Sequence, residues 1–243
     1  MTAPVRTTPH ASCVSTVPIF SGLDDHEQAE VARRARATTL RDGEWFQGPG
    51  DPEPRLGVVH RGRLRVTSLT ADGRRRLLRV LGPGDVVGEV ELLTGHPPRH
   101  LVSALGEASV CSFRRSDLAD LLSHPSVARE VIRVLAERLE RADETAAAAS
   151  TSPVRSRVAG YLLDQPAAGP PGREAVRLPL ARADIASLLG TTPESVSRQL
   201  RALREAGVVE GGRRGRDLVI LDRRRLRAWS GGPAGDVTGE SDF

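Results

Sequence analysis

Hydrophobic and polar positions change rhythm several times along the chain. From Asp24 to Arg36 the spacing predicts a short helix, and Asp24 and Asp25 suit the positive end of its dipole. From Thr38 to Phe113 apolar and polar residues alternate in short runs: Leu56–His60, Leu64–Leu69, Leu77–Leu81, Val86–Val87, Leu101–Leu105 and Ser109–Phe113. Gly43, Pro49-Gly50-Asp51, Arg61-Gly62, Asp72-Gly73, Gly82-Pro83-Gly84-Asp85 and Gly106 supply the turns between them. Many short strands with regular turns predict an all-β sandwich or barrel. Asp72-Gly73 between two strand patterns is a hairpin signal.

Helical spacing resumes at Ser116, and Pro125 fits the first turn of a long helix reaching about Ala149. Ala128, Ile132, Leu135, Leu139, Ala142, Ala146 and Ala149 repeat at alternating steps of four and three, the seam of a coiled coil. Val127, Val131 and Val134 form a second apolar stripe. Either both stripes face the chain's own core, or the valines pack on the β domain and the seam meets a twin subunit. The second arrangement gives each stripe its own partner and is the expectation. It places Ile132, Leu135, Leu139, Ala142 and Ala146 in a dimer interface.

Ser150-Thr151-Ser152-Pro153 ends this helix, and Val154 to Leu163 predicts another. Gln165 to Arg173 is rich in Pro, Gly and Ala and reads as a loop. The expected organisation is a flexible arm over 1–17, a β domain over 18–123 and a dimerisation helix over 124–150. A third domain over 153–229 and a disordered tail over 230–243 complete it.

The stretch from Leu178 to Leu221 is the most informative. Ala183 to Leu189 predicts a short helix, Gly190 ends it, Thr192 is an N-cap and Pro193 suits the first helical position. The next helix carries Val196, Leu200 and Leu203 on one face and Glu194, Ser195, Ser197, Arg198, Gln199 and Arg201 on the other. Two short helices joined by a tight Gly-containing turn predict a helix-turn-helix. Two strand patterns follow, around Gly211-Gly212-Arg213-Arg214-Gly215-Arg216, and read as a wing with a basic tip. A helix fills the DNA major groove and presents its N-terminal residues to base edges. Arg198 can donate two hydrogen bonds to guanine, and Glu194 can accept from a cytosine amino group. Thr192, Ser195 and Ser197 are further candidate contacts. Arg201, Arg213, Arg214 and Arg216 suit phosphates.

Charge supports this division. All 35 basic residues are Arg, and Lys is absent, a pattern that genomic codon bias explains by itself. Their placement says more. Residues 1–152 hold 20 Arg and 20 acids, whereas residues 177–227 hold 12 Arg and 6 acids. A neutral first part and a basic later part fit a regulatory module joined to a polyanion-binding one. No run approaches the length of a transmembrane helix, and the first twenty residues lack a secretory apolar stretch. A cytoplasmic protein with no membrane partner is expected, and two cysteines agree with a reducing compartment.

The chain resembles the Crp/Fnr superfamily of bacterial transcription regulators from about Val17 to Trp229. The specific part is Asp184-Ile185-Ala186-Ser187-Leu188-Leu189-Gly190 followed by Thr192-Pro193-Glu194-Ser195-Val196-Ser197-Arg198. The resemblance implies an α+β fold. A β-roll (a cyclic-nucleotide-binding-like jelly roll) comes first, then a long dimerisation helix and a winged helix-turn-helix. It implies a homodimer whose recognition helices read a palindromic site, with Glu194 and Arg198 on bases. Ser197 is similar to the Fnr branch, which implies a TTGA-like half-site. RNA polymerase is the further partner implied. A small-molecule or redox signal at the roll would act through the long helix.

Gly88-Glu89 with Arg99 ten residues after the Glu resembles the family's phosphate-binding cassette, in which Arg pairs with the cyclic phosphate and Glu with the ribose. His100 stands where the family has a small hydroxyl residue, and Ala142 and Asp143 stand at the adenine-contacting positions. The effector pocket of Gly88, Glu89, Arg99 and His100 is therefore incomplete for a cyclic nucleotide. An internal Glu89–Arg99 salt bridge shaping the roll is the alternative, and the expected one. Cys13 in the arm and Cys111 in the roll resemble a two-cysteine subgroup of Fnr-like proteins, which implies a reversible disulfide. A buried structural Cys111 with an idle Cys13 stays open, as does metal or haem ligation. Two thiolates are too few for a cluster of four within one subunit, so no iron–sulfur cofactor is expected.

His96 and His100 lack the partners of a zinc set and read as surface loop residues. Gly82-Pro83-Gly84 is a turn, because no helix follows it. No nucleophile–base pair or metal triad appears at usable spacing, so an enzyme is not expected. A cyclic-nucleotide-binding regulatory protein whose C-terminal domain binds protein is the alternative function.

Overall fold

The computed structural model describes residues 17–70, 73, 75–168, 175–211 and 217–231. The chain divides into two compact units, with the break between Arg141 and Ala142.

In the first unit a 3₁₀ turn at Pro18–Phe20 precedes α1 (Asp25–Arg34). Asp24 caps α1 with a capping box: its carboxylate accepts from Glu27 N, and Glu27 accepts from Asp24 N. Strands β1 (Arg36–Leu40), β2 (Trp45–Gln47), β3 (Arg55–Arg61), β4 (Leu64–Leu69), β5 (Arg75–Leu81) and β6 (Val86–Val87) follow, then α2 (Glu89–Thr94). β7 (Leu101–Ala104), β8 (Ala108–Arg114), α3 (Arg115–Ser123) and α4 (Pro125–Thr151) come next. Two antiparallel sheets of order β1-β8-β3-β6 and β2-β7-β4-β5 make the roll. One buried cluster, including Leu40, Phe46, Val59, Leu64, Val66, Val102 and Val110, fills it. A second cluster joins Leu56, Val58 and Phe113 of the first sheet to Phe20, Val31, Leu121, Val127 and Val131 of the helical elements. Phe20 meets Phe113 edge-on, with centroids 5.5 Å apart.

The strands bear out the alternating pattern, and β4 and β5 pair antiparallel about the expected turn. Asp72 itself lies outside the described residues. Val127 and Val131 are buried in the first unit, as the valine stripe required. Two boundaries and one residue of the seam differ from the sequence reading. Val17, assigned to the arm, is buried in the core; residues 1–16 lie outside the described residues. Leu135, assigned to the dimer seam, packs partly against the second cluster of its own roll. The long helix continues two residues past Ala149, to Thr151, before Pro153 stops it.

In the second unit α5 (Val154–Leu163) packs with α7 (Pro193–Glu205) and α8 (Arg223–Trp229), and α6 (Arg182–Leu188) packs with α7. A sheet of order β11-β12-β10-β9 flanks them, built from β9 (Ala167–Ala168), β10 (Ala175–Arg177), β11 (Val209–Gly211) and β12 (Asp217–Ile220). Val158, Leu162, Ile185, Val196, Leu200, Leu203, Leu218 and Leu226 are buried in this unit. β9 falls inside the stretch read as a loop, where pairing with β10 overrides its Pro- and Gly-rich flanks. Ser230 and Gly231, assigned to the tail, finish α8 with hydrogen bonds to carbonyls of its last turn. Residues 232–243 lie outside the described residues.

Candidate nucleic-acid interface

Local chemistry fixes α7. Thr192 is extended at the N-cap and its Oγ1 accepts from Ser195 N at 3.2 Å. Pro193 occupies the first turn, where a missing N–H costs nothing. Before the cap, Gly190 takes φ 58°, which glycine adopts without strain. Thr191 N donates back to Ala186 O at 2.9 Å and closes the turn.

Val196, Leu200 and Leu203 are buried, which fixes the rotation of α7 about its axis. Glu194, Arg198 and Arg201 sit four and three residues apart on the opposite, exposed face. Ser195 and Ser197 flank that stripe, half-buried. Arg198 Nη2 reaches Ser195 Oγ at only 3.5 Å, a weak bond that leaves most of the guanidinium's donors free of internal demand. Hydrogen bonding from its own backbone N–H, then from the Thr192 side chain, holds the Glu194 carboxyl below the usual carboxylate range. An ionised acceptor and a guanidinium fork thus share the leading end of a helix. The wing strands β11 and β12 pair antiparallel, but Arg213, Arg214 and Arg216 at the tip lie outside the described residues.

The roll arranges its charges differently. Gly88 has φ 85°, and a Cβ there would stand 2.0 Å from Arg55 O, so only glycine fits. It directs Glu89 into the first turn of α2 and into the interior, where Glu89 is 2% exposed. The sequence reading paired Glu89 with Arg99; the structure pairs it with Arg138 of α4. Arg138 Nη2 also donates to Val86 O at 2.7 Å. Arg99 is exposed, next to a buried Pro98. Glu89 Oε2 and the Nε of Arg79 on β5 are buried without a hydrogen-bond partner among the described residues. Burial, then the neighbouring Arg79, pushes Arg138 down to about 10, which leaves it charged at neutral pH. Burial first, and Arg79 second, also lower His100. The Glu–Arg pair expected for a cyclic phosphate is not assembled, and the chain's own guanidinium occupies the Glu. Sequence reasoning missed Arg138; the signal was a cation continuing the valine stripe of α4, four residues after Val134.

Cys111 is buried on β8, opposite Ala37 and Val58, and is disulfide-bonded. Cys13 lies outside the described residues. On α4, Ile132 and Leu139 are about two-thirds exposed, and Ala142 and Ala146 are exposed. Among the described residues no helix is long and apolar enough to cross a membrane, and no group of His, Cys, Asp or Glu is placed to hold a metal.

Two family models match the chain: a cyclic nucleotide-binding domain over residues 37–124 and a Crp-like helix-turn-helix domain over residues 156–229. The chain is 32% identical, over 90% of its length and 99% of the relative's, to a probable transcriptional regulator flp of Lacticaseibacillus casei. It is 32% identical to a cyclic AMP receptor protein of Thermus thermophilus, over 80% of this chain and 89% of that one. The solved structure of FixK2 from Bradyrhizobium japonicum superposes with a TM-score of 0.67 at 30% identity, covering 80% of this chain and 96% of that one.

Proposed function

The chain belongs to the Crp/Fnr family of DNA-binding transcription regulators, and from that premise we propose how it recognises DNA and what it senses. It acts as a cytoplasmic homodimer on a palindromic, TTGA-like site. The observation that carries this reading is the stripe of Glu194, Arg198 and Arg201 on the capped, rotationally fixed α7. Arg198 reads guanine and Glu194 accepts from cytosine. Thr192, Ser195, Ser197 and Arg201, with the wing arginines 213, 214 and 216, bind backbone phosphates or neighbouring base edges. Ile132, Leu139, Ala142 and Ala146 meet their copies across the dimer, and half-sites then fall about one helical turn, roughly 34 Å, apart. RNA polymerase is the protein partner at promoters.

The signal is redox. Cys13 of the arm and Cys111 form a reversible disulfide, and Cys111's bonded state and the presence of only two cysteines support this. The Arg138-filled position beside Glu89 disfavours a cyclic nucleotide as effector.

Genome-wide mapping of bound DNA, with and without oxidant, tests both parts. A palindromic TTGA-like motif whose occupancy changes with oxidant in the wild type, and not in Cys111→Ser, is the expected result. Absence of any palindrome would refute the recognition reading. A motif indifferent to oxidant would refute the redox reading alone.

A further inference from the structure

The turn that aims α7 is held from a third helix. Leu189, the C-cap of α6, donates its N–H to Ile185 O, and Gly190 N and Thr191 N close on Ser187 O and Ala186 O. Those bonds stay within the turn and tie it to nothing else. The Leu189 carbonyl, one of the orphan acceptors at a helix end, receives Arg157 Nη1 of α5 at 2.6 Å. Arg157 is half-buried, and its Nε is buried with no acceptor among the described residues. A guanidinium that leaves a buried donor unmet while making one short bond is placed for that bond. Its positive charge also lies at the negative end of α6. Leu189 stands one residue before Gly190 and three before the N-cap Thr192, so the bond falls on the pivot between α6 and α7.

We propose that Arg157 is a positioning residue for base recognition: by anchoring the α6–α7 turn to α5, it fixes the angle at which α7 enters the groove. The proposal rests on α7 being the base-reading helix. Hydrogen bonds to base edges weaken steeply with misalignment. Long arginine side chains reach phosphates over a range of helix angles and carry no sequence information. Loss of the anchor therefore costs specific binding and spares non-specific binding.

The test uses the full-length protein and two duplexes: one selected by the wild type from a random library, and a shuffled one of the same composition. Affinities for both are measured by fluorescence anisotropy across a salt series. A wild type that does not separate the two duplexes would fault the base-reading premise before any variant is made. Given wild-type discrimination, Arg157→Met should lower the ratio of specific to shuffled affinity roughly tenfold, equivalent to about 1.4 kcal/mol. Its affinity for the shuffled duplex and its salt slope should hold. Arg157→Lys, which keeps the charge and one reaching donor, should recover part of the ratio. Equal weakening on both duplexes, or an unchanged ratio, would overturn the proposal. If Arg157→Met fails to fold, the ratio for Arg157→Lys decides: a value below wild type supports the anchor, and a wild-type value overturns it.

Discussion

A glutamate and an arginine matter in both regions of this molecule, and the two regions treat them in opposite ways. On α7, Glu194 and Arg198 stand in solvent, and their internal bonds are confined to the cap and one long contact with Ser195. In the roll, Glu89 is buried and Arg138 closes over it, with Val86 O taking a second guanidinium donor. Exposed pairs of such groups contribute about 0–1 kcal/mol, so keeping them apart on α7 sacrifices little stability and leaves their hydrogen-bonding capacity for DNA. A buried pair is different, because removing one member strands the other away from water. The recognition face keeps its charged groups available to a ligand, whereas the roll pairs its buried carboxylate with the chain's own guanidinium.

Removing Arg138 should produce the largest effect. Arg138→Met leaves Glu89 buried and unpaired, and the expected loss is about 3–5 kcal/mol of unfolding free energy. Urea denaturation of the first unit's signal measures it. Glu89→Gln combined with Arg138→Met removes both charges and should recover a large part of that loss. Additive losses in the double variant would show that the two side chains act independently, and the contrast with α7 would fail.

Arg198→Ala should leave stability nearly unchanged. Its effect belongs to binding: specific affinity falls by about 1–3 kcal/mol and one base position relaxes. Selection from a random library by the variant reads this directly. An unaltered motif would remove Arg198 from base readout.

The same contrast decides how much was legible in the sequence. The strand pattern, the α7 cap at Thr192 with Pro193, and the buried trio Val196, Leu200 and Leu203 are local features, set by turn chemistry and periodicity. The exposed α7 stripe follows from that trio, because a helix buried on one side shows the other. The roll's interior depends on tertiary partners. Arg138 lies 49 residues from Glu89, and Arg157 lies 32 from Leu189. The valine stripe of α4 continues at Arg138 and turns it toward the roll, but which buried acid it meets is set by tertiary packing. α8 was missed for another reason: Arg223–Trp229 is too short and too basic for an apolar period, and only Asp222 signals its start.

The smallest expected effect separates the two regions by pH. His100 lies half-buried near Arg79 and Arg99, and burial first and Arg79 second lower it from 6.5, with Glu91 opposing. The unfolded chain then takes up a proton at His100 before the folded one does. Stability contributed by neutral His100 is intact above about pH 6.5 and declines as pH falls below it. His100→Gln should flatten that acid limb of the urea midpoint between pH 7.5 and 5.5. Discrimination between specific and shuffled duplexes should hold over the same interval, since Glu194 is displaced downward and stays ionised. Matching acid limbs in wild type and His100→Gln would remove His100 from the buried charge system. Loss of duplex discrimination at pH 5.5 would show that the outward face shares the roll's sensitivity to protons.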